Sequence, residues 1–216
     1  MKIEALHDFH DAQFSQGWAD RFQPTPPRLA LFETILQELQ KITPSQIAVL
    51  EIGIGPGYLA DYILQRYSNI QYEGLDFSAP MLQIAKTRTV AYGDTVSFTQ
   101  ADLIKESWHL KVKTQPQAII STWALHDLFE KKNILDVYQK AYHLLPKGGI
   151  LLNGDFIKPE TSTFEYEGGR IKPSEHLELL QKAGFKEAVC LEKYELSVDQ
   201  PTTANNYACF KAVKIH

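Results

Sequence analysis

Two cysteines, Cys190 and Cys209, are all that the 216-residue chain offers for disulfide chemistry. No disulfide framework follows from so few, and reduced thiols in a cytoplasm are the simplest expectation. No stretch approaches the ~18 consecutive apolar residues that a membrane span requires. The opening residues, MKIEALHDFHDAQ, have no apolar signal-peptide core. Basic residues are not in surplus: 22 Lys and Arg stand against 26 Asp and Glu, and a net charge of -4 argues against a nucleic-acid partner. There is no internal repeat and no low-complexity tract. What remains is an ordinary globular composition, 44% hydrophobic and 22% charged, of a length suited to one domain with a small appendage.

That appendage is expected at the amino-terminal end. Residues 1–45 carry helical stretches, FSQGWADRF and RLALFETILQELQKI, separated by the breaker QPTPP and closed by Pro44. From Ile47 the pattern changes to strands alternating with helices. Strands are expected at 47–52, 70–76, 96–102, 117–123 and 149–156, with helices in YLADYILQRY, APMLQIAKTRTVA, NILDVYQKAYHLL and PSEHLELLQKAG. The chain ends in two strand-like runs, FKEAVCLEKYELS and NNYACFKAVKI, joined by only VDQPTTA. So short a link cannot make a parallel crossover, so these two must be antiparallel neighbours. The expected fold is α/β: a doubly wound, mostly parallel seven-stranded sheet with an antiparallel C-terminal hairpin strand. An N-terminal helical cap over the active site (1–45) precedes the main domain (46–216).

The chemistry-bearing stretch is VLEIGIGPGYLA (49–60), where three glycines follow the end of the first strand. Gly53, Gly55 and Gly57 free a strand-to-helix turn of side chains, the setting in which such a loop holds a nucleotide-like ligand. The dinucleotide fingerprint G-x-G-x-x-G would need a third glycine where Tyr58 stands. What is present is Glu51 followed by G-x-G-x-G. Asp76 closes the second strand at the spacing of a ribose-binding carboxylate, and Asp102 closes the third. Each acid alone also reads as a helix N-cap. Three acids at successive strand ends converge on the crevice where open α/β sheets bind ligands.

Together LEIGIGPG, GLDFSAPML, TQADL and LLPKGGILL resemble the class I S-adenosylmethionine-dependent methyltransferases, over roughly residues 47–215. The resemblance implies S-adenosylmethionine (SAM) as cofactor and S-adenosylhomocysteine as product. It implies that the Gly53–Gly57 turn lies against the methionine and ribose, that Glu51 helps fix the ammonium, and that Asp76 holds the ribose hydroxyls. Phe77 and Met81 would wall the adenine, Asp102 would accept from its amino group beside the Leu103 backbone, and Ser121 and Thr122 would border the methionine moiety.

After the fourth strand, TWALHDL resembles a stretch common in small-molecule methyltransferases, and the N/D-P-P-Y/F signature of base and glutamine methylation is missing. His126 is therefore the candidate general base. The competing reading is a histidine hydrogen-bonded at a helix start, with Asp127 its cap or partner. Trp123, Arg170, Trp18 and Phe22 are the candidate acceptor-binding residues. Phe14, Trp18 and Phe22 also recur at helical spacing, a stripe that is more often core packing than a substrate cage. HDFHD, with His7, His10 and Asp11 on one helical face, reads as a solvated face, and no metal is expected. The function expected is methyl transfer to an O, N or C atom of a small molecule by a cytoplasmic monomer or homodimer. The alternatives are a non-catalytic SAM-binding sensor or subunit and a macromolecule methyltransferase.

Overall fold

The computed structural model describes residues 8–42, 46–195 and 206–215. His7, Pro44 and the VDQPTTA connection fall outside them. The chain divides into two compact units, one up to Thr114 and one from Gln115 onward.

The first unit contains α1 (Ala12–Arg21), α2 (Pro26–Gln40), β1 (Ile47–Ile52), α3 (Tyr58–Leu64), β2 (Ile70–Asp76), α4 (Ala79–Arg88) and β3 (Val96–Gln100). The strands run parallel in the order β3-β2-β1, with Ile47 opposite Ile70 and Tyr72 opposite Val96. β1 is a near-continuous apolar run and β2 is buried at all but Gln71, as expected where helices cover both faces of a parallel sheet. Local signals set the helix starts. Asp11 accepts from the Phe14 N–H at 2.7 Å, Pro26 occupies the first position of α2, and Ser78 accepts from the Met81 N–H at 3.1 Å. α1 packs against α4, so the amino-terminal helices belong to this unit.

The second unit contains β4 (Ala118–Thr122), a 3-10 turn (Leu125–Leu128), α5 (Lys131–Leu144), β5 (Ile150–Phe156), α6 (Pro173–Ala183), β6 (Glu187–Glu195) and β7 (Asn206–Val213). Its strand order is β4-β5-β7-β6. β4 and β5 are parallel, whereas β7 runs antiparallel to both β5 and β6, with a bulge between Cys190 and Glu192. Between α5, α6 and β5 lies a buried polar chain: Asn153 Nδ2 donates to the Tyr138 hydroxyl at 3.0 Å, which sits 2.9 Å from His176 Nδ1. Burial pushes the His176 imidazole down to about 4, so it is neutral at physiological pH.

Seven strands with a C-terminal antiparallel pair are the mixed, mostly parallel sheet expected. β3 and β4 end earlier than expected, for local reasons. β3 stops at Gln100 because Asp102 turns the chain, its Oδ1 accepting from the Ile104 and Lys105 N–H groups at 2.8 and 3.0 Å. β4 stops at Thr122 because Trp123 takes a left-handed φ of 49°. Among the described residues no helix is long and apolar enough to cross a membrane.

Candidate active site

In the first unit the glycine turn folds back onto β2. The Gly53 and Ile54 N–H groups both donate to the Leu75 carbonyl, at 2.8 and 3.0 Å. The Gly55 N–H donates to Asp76 Oδ2 at 2.8 Å, and the Ser78 N–H donates to Oδ1 at 2.9 Å. Asp76, 6% exposed, therefore clamps the turn to the start of α4. The glycines are not equivalent. Gly55 has φ +51°, and a Cβ built on it would meet nothing within 4 Å, so the turn presents open space there. A Cβ on Gly57 would stand 3.1 Å from Ala85, so that glycine is needed for packing against α4.

Glu51 lies at the end of β1, 1% exposed, and accepts from the Tyr72 hydroxyl at 2.6 Å. Burial, with a smaller contribution from the Asp76 charge, pushes its carboxyl up to about 8 against the opposing Tyr72 bond. Glu51 is thus largely protonated at neutral pH. Phe77 follows Asp76 and meets the rings of Phe9 (6.4 Å) and His10 (5.3 Å), while its carbonyl accepts from Gln100 Nε2 at 3.0 Å. Met81 is buried in the first turn of α4. β3 is held to the same place by the Ala101 N–H donating to the Asp76 carbonyl, so Asp102 and Leu103 begin beside it. Asp102 Oδ1 is occupied by its own turn and Oδ2 faces Lys105 at 3.5 Å.

The amino-terminal segment packs on this region. Ser78 and Ser15 hydroxyls both donate to the Phe9 carbonyl. Phe9 meets Phe14 and Trp18 edge-on, and Trp18 stacks on Phe22 with centroids 4.6 Å apart. Sequence reasoning missed Arg88. Its Nε donates to the Pro56 carbonyl at 2.7 Å and its guanidinium lies 3.8 Å over the Tyr58 ring, bracing the turn, while the Tyr58 hydroxyl donates to the Ala19 carbonyl. The only available cue was a basic residue in the last turn of a helix.

In the second unit Ser121 and Thr122 end β4, and the strained Trp123 N–H donates to the Gly154 carbonyl at 2.9 Å. The Trp123 ring lies between Phe156 (6.2 Å) and Tyr207 (6.3 Å). His126 sits in the 125–128 turn, 8% exposed. Its N–H donates to Asp155 Oδ2 at 3.0 Å and its Nδ1 lies 2.7 Å from Oδ1 of the same carboxylate. Its Nε2 lies 3.3 Å from Asp127 Oδ1. Burial disfavours a charge on the imidazole, but the Asp155 carboxylate outweighs it and holds the pKa above its usual value. Burial likewise raises the Asp127 carboxyl, against the opposing effect of His126. Asp155 was the second residue missed; an acid at the end of an otherwise apolar strand was its signal. Phe156 carries the His126 ring edge-on at 5.0 Å and the Arg170 guanidinium at 4.7 Å. Among the described residues no group of three or more His, Cys, Asp or Glu is placed to hold a metal ion.

Residues 49–149 match a family model described as a methyltransferase domain. The chain is 26% identical over 179 residues to the carboxy-S-adenosyl-L-methionine synthase of Campylobacter jejuni subsp. doylei, covering 72% of the chain and 76% of that protein. It is 29% identical over 126 residues to the trans-aconitate 2-methyltransferase of Rhizobium etli, covering 58% of the chain and 42% of that protein. The N-methyltransferase NodS of Bradyrhizobium japonicum, solved with S-adenosyl-l-homocysteine, shares the fold with a TM-score of 0.66 over 91% of each chain at 15% identity. The chain spans only 54% of the solved CurJ carbon methyltransferase, whose fold it also shares. The open turn at Gly55 above a buried Asp76 fits the nucleoside ligand of such proteins. Residues 49–149 thus match a methyltransferase domain, the fold is one shared with S-adenosylmethionine-dependent methyltransferases, and SAM is the cofactor that these likenesses support.

Proposed function

We propose that the chain moves a methyl group from SAM to an O, N or C atom of a small molecule. The observation that carries this reading is the Gly55 turn, open where a Cβ would stand and tied from below to buried Asp76. Bound SAM supplies an electrophilic methyl group. Both Asp76 oxygens already accept one backbone N–H each. The remaining lone pairs are the ones offered to ribose hydroxyls. Glu51 receives the ammonium end, Phe77 and Met81 the adenine faces, and Asp102 with Leu103 the adenine edge. The packing of residues 8–22 on Phe77 and Ser78 supports the cap as cover for this half of the cofactor.

His126 is read as the general base. Asp155 takes its Nδ1 side, which leaves Nε2 to accept a proton from a hydroxyl or amine acceptor. Asp127, beside Nε2, stabilises the charge that His126 gains. Trp123 and Arg170 are the acceptor-binding candidates of the second unit, and Trp18 and Phe22 those of the first. The protein is proposed to work in the cytoplasm, with both cysteines free, as a monomer or homodimer without nucleic acid.

The test is turnover: incubation with SAM and a metabolite extract should release S-adenosylhomocysteine and an acceptor heavier by one methyl group. SAM bound but never consumed would leave a sensor or subunit instead. A second reading, in which SAM itself is altered, is favoured by the name of a relative that covers 72% of the chain. It predicts a modified sulfonium and no S-adenosylhomocysteine.

A further inference from the structure

Around Arg170 the second unit holds a cavity of about 260 Å³, lined among others by Lys158, Lys172 and Tyr166. We propose that it binds the carboxylate of an acidic small molecule, with Arg170 as the principal donor, and that this acid is the methyl acceptor. That the acid is the acceptor rests on the methyl-transfer reading; that an acid binds does not.

Arg170 is 8% exposed, and a buried guanidinium is costly unless its charge and donors are matched. The carboxylate within ion-pair distance of it is Glu167, with Oε2 3.4 Å from Nε. That contact makes no hydrogen bond, and the buried Nε finds no other acceptor. The cavity charges do not cancel. Lys131 is paired with Glu175 at 2.5 Å, and Glu175 also accepts from the Lys172 N–H. Lys158 and Lys172 have no carboxylate within ion-pair distance among the described residues, and only the exposed Glu165 remains to set against them. A partly buried cluster of cations with a free guanidinium edge calls for a planar anion, and a carboxylate matches the fork of donors that arginine presents.

The loop that carries Arg170 is pinned to the turn that carries His126. A Cβ on Gly169 would stand 1.7 Å from the His126 carbonyl oxygen, and one on Gly168 would stand 2.2 Å from that of Phe129. No side chain fits at either position, so backbone lies directly on backbone. Arg170 and His126 both touch the Phe156 ring, which keeps the proposed acid site next to the turn that carries His126. The volume, just below the ~300 to 1,000 Å³ of small-molecule pockets, favours a compact acid.

Calorimetric titration with succinate and citrate, using succinamide as the uncharged control, tests the site at low salt. The acids should bind the wild type and succinamide should not. Arg170→Gln should weaken the acids about 10- to 100-fold, the loss of charge-assisted hydrogen bonds. Because Arg170 is buried, its melting curve is recorded alongside. The half-buried pair Lys158→Ala/Lys172→Ala should weaken the acids several-fold, and Glu167→Gln should tighten them by removing a competing carboxylate. Equal binding of succinamide, or no acid binding to wild type at millimolar concentration, overturns the site. So does unchanged affinity in both Arg170→Gln and the lysine pair. Acid binding in which no acid releases S-adenosylhomocysteine keeps the site and refutes the acceptor assignment. Methylation of neutral acceptors alone, unaffected by Arg170→Gln, keeps methyl transfer and refutes the anion site.

Discussion

Replacing Glu51 by Gln tests the electrostatics of the cofactor half most directly. The carboxyl is buried and titrates at about 8 in the fold, against 4.5 in the unfolded chain. The native state therefore keeps a proton that the unfolded chain releases. Stability must fall as pH rises from about 4.5 to about 8, and this group adds no slope outside that window. At ~1.36 kcal/mol per pKa unit the ceiling is about 5 kcal/mol. Relaxation and water entry around a charged carboxylate lower this to on the order of 3 kcal/mol. Glutamine keeps an oxygen for the Tyr72 hydroxyl but never ionises. Urea unfolding at pH 5, 7 and 9 should give wild type and variant similar stability at pH 5 and a more stable variant at pH 9. A SAM ammonium near Glu51 would favour the carboxylate, so wild-type affinity should climb with pH toward 8 while the variant stays weak and flat. Stability profiles that run parallel across the range would refute the buried-proton argument.

Gly55→Ala places its Cβ in open space at φ +51°; it should cost ~1 to 2 kcal/mol of stability and most SAM affinity, whereas Gly57→Ala should unfold more readily because Ala85 lies 3.1 Å away. Undiminished SAM affinity of Gly55→Ala in calorimetry would sink that assignment. Asp76→Asn turns an amide N–H toward one of two backbone N–H groups, so it should lose ~1 to 3 kcal/mol in denaturant melts and bind SAM more weakly. NADH should bind neither protein. His126→Ala should lower turnover ~10²- to 10⁴-fold with SAM affinity unchanged. Because the folded imidazole pKa is raised, its charge stabilises the fold at acid pH, and that contribution is lost as pH rises through the folded value. A general base acts in its neutral form, so under the proposed role the wild-type rate should climb through the same pH, above the ordinary histidine range. Asp155→Asn should shift that limb downward, and an unmoved limb would assign Asp155 to packing alone.

The strand positions and the helix starts were legible because their determinants are local. β1 and β2 begin and end where the sequence places them, and Ser78, Pro26 and Pro173 sit at helix starts where caps and N1 prolines belong. β3 and β4 were read two and one residues too long at their ends, and both errors have the same cause. Asp102 and Trp123 belong by composition to strands, but each leaves the ladder to make a turn. For Trp123 the left-handed backbone is held by the Gly154 carbonyl, a neighbour that no local pattern announces.

The candidate site divides along the same line. Glu51 and Asp155 are the same kind of residue, a buried acid at the carboxyl end of an apolar strand. Glu51 was found because glycines follow it; Asp155 is followed by Phe156 and Ile157 and looked like the edge of a strand. What gives Asp155 its meaning is His126, 29 residues earlier, whose backbone N–H and ring it grips together. The glycines at 168 and 169 likewise carry no signal of their own until the carbonyls of His126 and Phe129 lie against them. Contacts between backbone and backbone carry no side-chain signature. The parts of this site that position its chemistry are therefore written largely in residues chosen for having nothing there.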